Sequence, residues 1–254
     1  MTRSVLVTGS ARRIGRTIAL DLARHGWTVA VHHHLSAEDA EKVVAEIEAA
    51  GGTGAVVSAD LASEKETAGL VERAAGAVGP LSALVNNASV FERDDALDAS
   101  RASWDLHMEV NLRAPFVLTQ AFARQVPETA TGNVINILDQ RVWNLTPYFT
   151  SYTLSKAGLW TLTQTLALAL APRVRVNAVG PGPTLPSARQ TEESFRRQWQ
   201  AMPLARPVQP EEVAAAVRFI LDAPSVTGQM IAVDAGQHLC WSAGPATGPG
   251  AADE

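Results

Sequence analysis

Tyr152 and Lys156 stand four residues apart in the stretch ILDQRVWNLTPYFTSYTLSK (137–156), on one face if that stretch is helical. A phenol with an ammonium one helical turn away is a candidate proton donor, because a neighbouring positive charge favours phenolate and lowers the ordinary tyrosine pKa of about 10. The same pair on an arbitrary helix is a surface contact. Asp139 follows directly on the apolar run Val134, Ile135, Ile137 and Leu138, thirteen residues before Tyr152. An aspartate after a strand can cap a turn. Beside Tyr152 it can instead hydrogen-bond the phenol and relay a proton. Tyr148 is the rival phenol, but it lies eight residues from Lys156 and reads as a pocket wall.

A strand and a turn must position these groups. The short apolar run Ser4–Thr8 opens into TGSARRIG (8–15), after which Ile14, Ile18 and Leu22 recur at helical spacing. A glycine-bearing turn between a first strand and a helix start can seat a pyrophosphate on backbone N–H groups and the helix dipole, or can be an ordinary tight turn. Gly9, Arg12, Arg13, Ile14 and Gly15 are its candidate contacts. Further strand candidates are Thr28–Val31, 55–59, 83–88, 133–138, 174–179 and 229–234, with the helical stretch Ala37–Ala49 and other helix-length segments between most of them. This alternation predicts a single Rossmann-type, doubly wound α/β domain over residues 1–241, mostly a seven-stranded parallel sheet with helices on both faces. Ligands then bind at the carboxyl edge of the strands. The segment 184–210 reads as a flap over substrate, with Trp199 and Met202 as pocket candidates, and 242–254 as a flexible tail.

Bulk composition narrows the function classes. The 254 residues are 46% apolar with a formal charge of −5, which argues against nucleic acid or anionic membrane as partner. Only three residues are lysine, Lys42, Lys65 and Lys156, so Lys156 stands out from the arginine-dominated basic set. A lone cysteine, Cys240, allows no intrachain disulfide, and the start of the chain is too short for a signal-peptide core. A cytoplasmic protein acting on a small molecule is the expectation.

In register along the chain, these motifs resemble those of the short-chain dehydrogenase/reductase family. The resemblance rests on Gly9 and Gly15, the run Asn86-Asn87-Ala88-Ser89, Asn111 at the place of the family's active-site asparagine, Tyr152 with Lys156, and Pro181-Gly182 after the sixth strand. Arg13 in place of the middle glycine, Ser89 ending the Asn-Asn-Ala motif and Asp139 in place of the catalytic serine are similar to its pteridine reductase branch. Phe91 matches the aromatic that sandwiches a pterin there, although an aromatic near a strand end is as readily core.

The resemblance implies an NADPH-dependent reductase of dihydropterins acting on a C=N bond. Tyr152, Lys156, Asp139 and Asn111 would be catalytic, and Arg13, Ser89, Phe91 and Pro183 would join Asp139 and Tyr152 around the substrate. Asn87, Ala88, Ser89, Lys156, Pro181, Gly182 and Thr184 would hold the cofactor, with Asp60 and Leu61 at the adenine unless Asp60 only caps a helix. After strand two, HHHLS supplies His32, His33, His34 and Ser36 and no acid, which leaves room for a 2′-phosphate and favours NADPH over NADH. Leu35 takes the place of the branch's basic residue, for which Arg12 or a histidine would compensate. Three neighbours on a strand cannot converge on one metal ion, so no metal is expected. The family also implies a homotetramer. A reductase of another carbonyl or imine is the alternative, and a non-catalytic NADP(H) sensor a third possibility that the retained Tyr152, Lys156 and Asn111 argue against.

Overall fold

The computed structural model describes residues 3–187 and 189–240; the tail proposed for 242–254 lies outside the described residues. Seven strands form one parallel sheet in the order β3-β2-β1-β4-β5-β6-β7. They are β1 (Ser4–Val7), β2 (Thr28–His33), β3 (Thr53–Ser58), β4 (Ala83–Asn86), β5 (Gly132–Ile137), β6 (Val174–Pro181) and β7 (Met230–Val233). The expected Rossmann-type arrangement is therefore what the chain adopts.

Both sheet faces are covered, which is why β1 and β4 are buried without alternation. Val5, Val7, Val29 and Ile135 point into one apolar layer with α1 (Arg13–Arg24), α2 (Ala37–Ala49) and α9 (Pro210–Asp222). Leu6, Leu84, Val134 and Val176 point into the other. That second layer is closed by α4 (Leu70–Val78), α6 (Ala114–Gln125) and α7 (Thr150–Leu170), with the short α3 (Glu64–Ala68) at its edge. Strand order reverses between β1 and β4, which opens a crevice above their carboxyl ends.

Two local features shape that crevice. Gly9 has φ +62°, and Gly15 lies so close to it that a Cβ there would meet the Gly9 carbonyl oxygen at 2.4 Å and Asn87 Nδ2 at 2.3 Å. Only glycine lets α1 start this near the turn. Between α5 (Arg101–Met108) and α6 the chain makes a π-helical turn, Glu109–Arg113, that directs Asn111 inward. Beyond β6, α8 (Glu192–Gln200) occupies the segment expected to form the flap. Among the described residues no helix is long and apolar enough to cross a membrane.

Candidate active site

The two ends of the site come from β5 and α7. Asp139 lies two residues past the end of β5, and Tyr152 and Lys156 lie in the first two turns of α7. Tyr152 Oη donates to Asp139 Oδ2 at 2.9 Å, and the backbone N–H of Arg141 donates to Asp139 Oδ1 at 2.8 Å. The carboxylate thus caps a turn and binds the phenol, one oxygen for each. It is half-buried and faces the cleft.

Electrostatics at Tyr152 differ from the expectation drawn from its spacing to Lys156. The phenol is 6% exposed, and its pKa is pushed well above the ordinary value, first by burial and then by the charge of Asp139. Lys156 does not offset this, because its ammonium is turned to the Ile137 carbonyl at 2.9 Å and lies 5.9 Å from the ring centre of Tyr152. Burial lowers Lys156 itself to about 8, an effect that the Asp139 carboxylate partly opposes. Tyr152 is therefore a held proton donor rather than an incipient phenolate.

A cleft of about 420 Å³ runs from the turn at Gly9 to this group, lined on the way by Ile14, Asn87, Ala88, Leu138 and Gly182. It continues under the flap past Pro183, Thr184, Leu185, Phe195, Gln198 and Gln237. Phe91 lines both halves. Its ring stacks on Phe149 with centroids 4.4 Å apart and planes at 12°, and stands edge-on to Tyr152 at 4.6 Å. Phe91 is thus a half-buried wall of the cleft, with Phe149 packed against it. Arg189 caps both rings, its guanidinium 5.6 Å from each centre, and pairs with Glu92 at 2.9 Å.

The expected cofactor contacts divide. Asn87 Nδ2 donates to the carbonyls of Thr8 and Gly9 and so lashes the turn to β4. Arg13 takes φ +54°, the left-handed backbone that a glycine adopts without cost. Its guanidinium reaches across to the carbonyls of Pro186 (2.9 Å) and Leu185 (3.2 Å), so it latches the flap. Arg12 pairs with Asp39 in the first turn of α2, three residues past Ser36, and its guanidinium holds the Asp39 carboxyl below the usual range. Thr184 is buried, its hydroxyl on the Gly182 carbonyl. His33 is buried with Nδ1 3.0 Å from the His34 carbonyl, whereas His34 is exposed.

Several expected contacts are already engaged or lie off the described cleft. His32 has no ring nitrogen left for a phosphate: Nδ1 accepts from the Gly9 N–H at 2.9 Å, and Nε2 lies 3.2 Å from the Ala59 carbonyl. Burial lowers it to about 4, and it braces the turn from behind as a neutral ring. Asn111 is fully buried and spends its amide on the loop after β4 and on α7. Oδ1 accepts from Val90 N (2.8 Å) and Ser89 Oγ (3.2 Å), and Nδ2 donates to Val90 O (2.9 Å) and Ser155 Oγ (3.1 Å). It positions Ser89 and α7 and does not line the cleft. Asp60 does not line this stretch of the cleft, but its carboxylate lies 3.9 Å from His34 Nδ1 at the end of β2. Asp60 Oδ1 accepts from Ala62 N in a turn, and Leu61 sits in the apolar layer beneath. Tyr148 packs under Arg93 at 5.0 Å and does not line the cleft, whose wall Phe91 is backed by Phe149. Likewise Phe195 and Gln198 line the flap side rather than Trp199, while Met202 sits in an adjoining hollow.

A buried network behind Tyr152 left no motif in the sequence. Asp94 accepts from Ser151 N (3.0 Å), Ser151 Oγ and Ser103 Oγ, and His107 Nε2 accepts from Glu92 N at 3.0 Å. The proton of His107 is then on Nδ1, which faces Ser103 O at 2.9 Å and Ser151 Oγ at 2.7 Å. Burial pushes Asp94 up, but the Ser103 and Ser151 hydroxyls outweigh it and hold the carboxyl below its ordinary value.

Comparison with known proteins agrees with this fold. The family model described as enoyl-(acyl carrier protein) reductase matches residues 9–238. A 3-oxoacyl-[acyl-carrier-protein] reductase of Staphylococcus aureus is 34% identical over 94% of this chain and 99% of its own. One from Synechocystis is 36% identical over 92% of this chain and 96% of its own. Among solved structures, the FolM alternative dihydrofolate reductase 1 of Brucella suis, in complex with NADP, superimposes with a TM-score of 0.92 at 49% identity, covering 95% of this chain and 98% of that one. A blue fluorescent protein from a metagenomic library, in complex with NADPH, gives 0.85 at 30% identity, covering 92% and 97%.

Proposed function

The chain belongs to the short-chain dehydrogenase/reductase family, and within it we propose an NADPH-dependent reductase of pterins, of the dihydropterin to tetrahydropterin type. The observation that carries this reading is the 2.9 Å contact from Tyr152 to Asp139 beside the Phe91 ring. A carbonyl reductase needs a neutral hydroxyl near the developing alkoxide. A ring C=N instead needs a proton delivered to nitrogen, and a buried phenol backed by a carboxylate is suited to that.

The residues present fit the cofactor. The elongated cleft begins at a glycine turn on the start of α1, Asp139 at its far end is its only acidic lining residue among the described residues, and β2 ends without an acid. Two relatives of known structure were solved with NADP or NADPH. Bound there, the reduced nicotinamide supplies the hydride. Gly9, Ile14 and Gly15 would hold the pyrophosphate at the start of α1, and Arg12, Ser36 and His34 would hold the 2′-phosphate. Lys156 has one N–H committed to Ile137, which leaves two for sugar hydroxyls.

Phe91 gives a flat substrate a wall at the right distance from Tyr152. Tyr152 gives its proton to the ring nitrogen. A phenolate next to the Asp139 carboxylate is unfavourable, so Asp139, open to the cleft, takes up a proton from solvent and passes it to the Tyr152 oxygen, restoring the phenol and the carboxylate. The experiment is NADPH oxidation by the purified protein with dihydrobiopterin, dihydromonapterin or dihydrofolate, followed by absorbance. Turnover of any of them supports the reading.

A second reading, reduction of a ketone, is favoured by the names of the relatives from Staphylococcus aureus and Synechocystis. Asp139 in the place of a serine speaks against it. Turnover of a 3-oxoacyl thioester with no pterin turnover would establish it instead.

A further inference from the structure

Two residues past Asp139 lies a buried cation whose position the fold does not explain. Arg141 is 8% exposed. One Nη donates to Thr146 Oγ at 2.6 Å, and the guanidinium lies 5.3 Å from the ring centre of Phe149. Its Nε–H is buried without a partner. Among the described residues no carboxylate lies within 4.0 Å of its guanidinium, and every ion pair seen there is formed by another cation.

A cation buried in this way destabilises a fold, and buried donors in native proteins are nearly always met. Sites that break this rule do so for function. The side chain also has a place to act, since Arg141 lines the flap end of the cleft together with Phe91, Asp139 and Tyr152. Its charge is felt there, being the one influence that favours ionisation of the Tyr152 phenol.

We propose that Arg141 is a substrate-recognition residue, whose guanidinium donates to the oxo oxygen of the flat ring being reduced, the lactam oxygen of a pterin. This rests on the pterin reading. The guanidinium is planar and presents a fork of donors, so at the margin of an aromatic wall it reads the edge of a ring laid against that wall. It lies beside the proton-donating pair, which places it at the reacting ring rather than at a substituent reaching the cleft mouth.

The test compares wild type with R141M in four measurements: melting temperature, NADPH affinity, kcat/KM for dihydrobiopterin, and kcat/KM for the same dihydropterin ring lacking the oxo oxygen. With the unpaired charge removed, R141M is expected to melt at the wild-type temperature or above it and to bind NADPH within about twofold. It should lose roughly tenfold to hundredfold in kcat/KM for dihydrobiopterin, the range of a charged hydrogen bond. The analogue without the oxygen should be turned over equally by both proteins. A lower melting temperature with parallel losses on both substrates would make Arg141 structural and overturn the proposal. So would a loss seen with dihydrofolate but not with dihydrobiopterin, which would assign Arg141 to a tail carboxylate. A wild-type enzyme that turns over no pterin defeats the pterin reading itself and this inference with it, whereas active wild type with unaltered R141M defeats the Arg141 assignment alone.

Discussion

Asp139 holds Tyr152 with one carboxylate oxygen and the backbone of Arg141 with the other. The two duties make separable demands. Capping the turn needs one acceptor, which asparagine or serine also supplies. Returning a proton to the phenol needs a carboxyl group.

D139N should therefore fold and bind NADPH as wild type does, yet lose about 10²-fold or more in kcat with a dihydropterin. D139S puts back the hydroxyl that suits a developing alkoxide, and should lose pterin turnover while gaining measurable reduction of a simple ketone. Full pterin activity in either variant would contradict the relay. Steady-state kinetics with both substrate types decides it.

Tyr152 is held protonated by burial and by Asp139. Y152F removes the proton while keeping the ring against Phe91, so kcat should fall about 10³-fold with NADPH affinity changed less than about twofold. Fluorescence titration of NADPH beside single-turnover kinetics separates the two effects. A non-catalytic NADP(H)-binding protein would show no turnover to lose.

His32 ties pH to stability. Its pKa is about 4 in the folded protein against 6.5 for the free side chain. Between those values the unfolded chain takes up a proton that the folded one does not, so acid favours unfolding. The contribution is complete above pH 6.5 and is lost as pH falls toward 4. It amounts to at most about 3–4 kcal/mol, from a gap of about 2.5 pH units at ~1.4 kcal/mol each. H32N keeps an acceptor for the Gly9 N–H and does not titrate, so its melting temperature should fall less steeply over that window. NADPH affinity of wild type should hold through that window and weaken only as pH approaches 4, where the folded ring itself takes up a proton and can no longer accept from Gly9. Parallel melting curves for the two proteins would refute the linkage.

Much of this site was legible from sequence because its landmarks are local. Asp139 and Tyr152 lie near a strand end and a helix start, and the glycines of the first turn mark a backbone that few other residues permit. The errors fall where local pattern carries no orientation. The expected second strand stopped at Val31, whereas β2 runs on to His33, and this continuation buries His32 behind the turn. Tyr148 and Phe149 are neighbours in a loop, where neither period tells which faces inward, and Phe149 enters through a left-handed backbone with φ +59°. The partners of the Asn111 amide, Ser89, Val90 and Ser155, come from other parts of the chain and only packing reveals them. Asp94 meets Ser151 across 57 residues of sequence, and only the packing of the loop after β4 onto α7 brings them together.

That last contact fixes both halves of the site, which makes Asp94 the most consequential residue outside it. The first turn of α7 begins with N–H groups that have no partner within the helix. Asp94 meets two of them from a different part of the chain, Thr150 through its carbonyl at 3.0 Å and Ser151 through Oδ1 at 3.0 Å. Tyr152 is the next residue. Three residues before Asp94, the same loop carries Phe91, and Glu92 between them is held by His107. Removing the carboxylate thus uncaps the helix that carries the proton donor and releases the loop that carries the wall. It also leaves the Ser103 and Ser151 hydroxyls unmet in a site where Asp94 is only 3% exposed. D94A should cost about 2–4 kcal/mol in chemical denaturation, from a lost cap together with buried unmet donors. D94N keeps one acceptor oxygen and should recover part of that loss. KM for the dihydropterin should rise in both, because Phe91 is no longer fixed, while NADPH affinity, set at the Gly9 turn, should change little. Denaturation that matches wild type in D94A, with KM unmoved, would show that α7 and the Phe91 loop are held by the remaining packing alone.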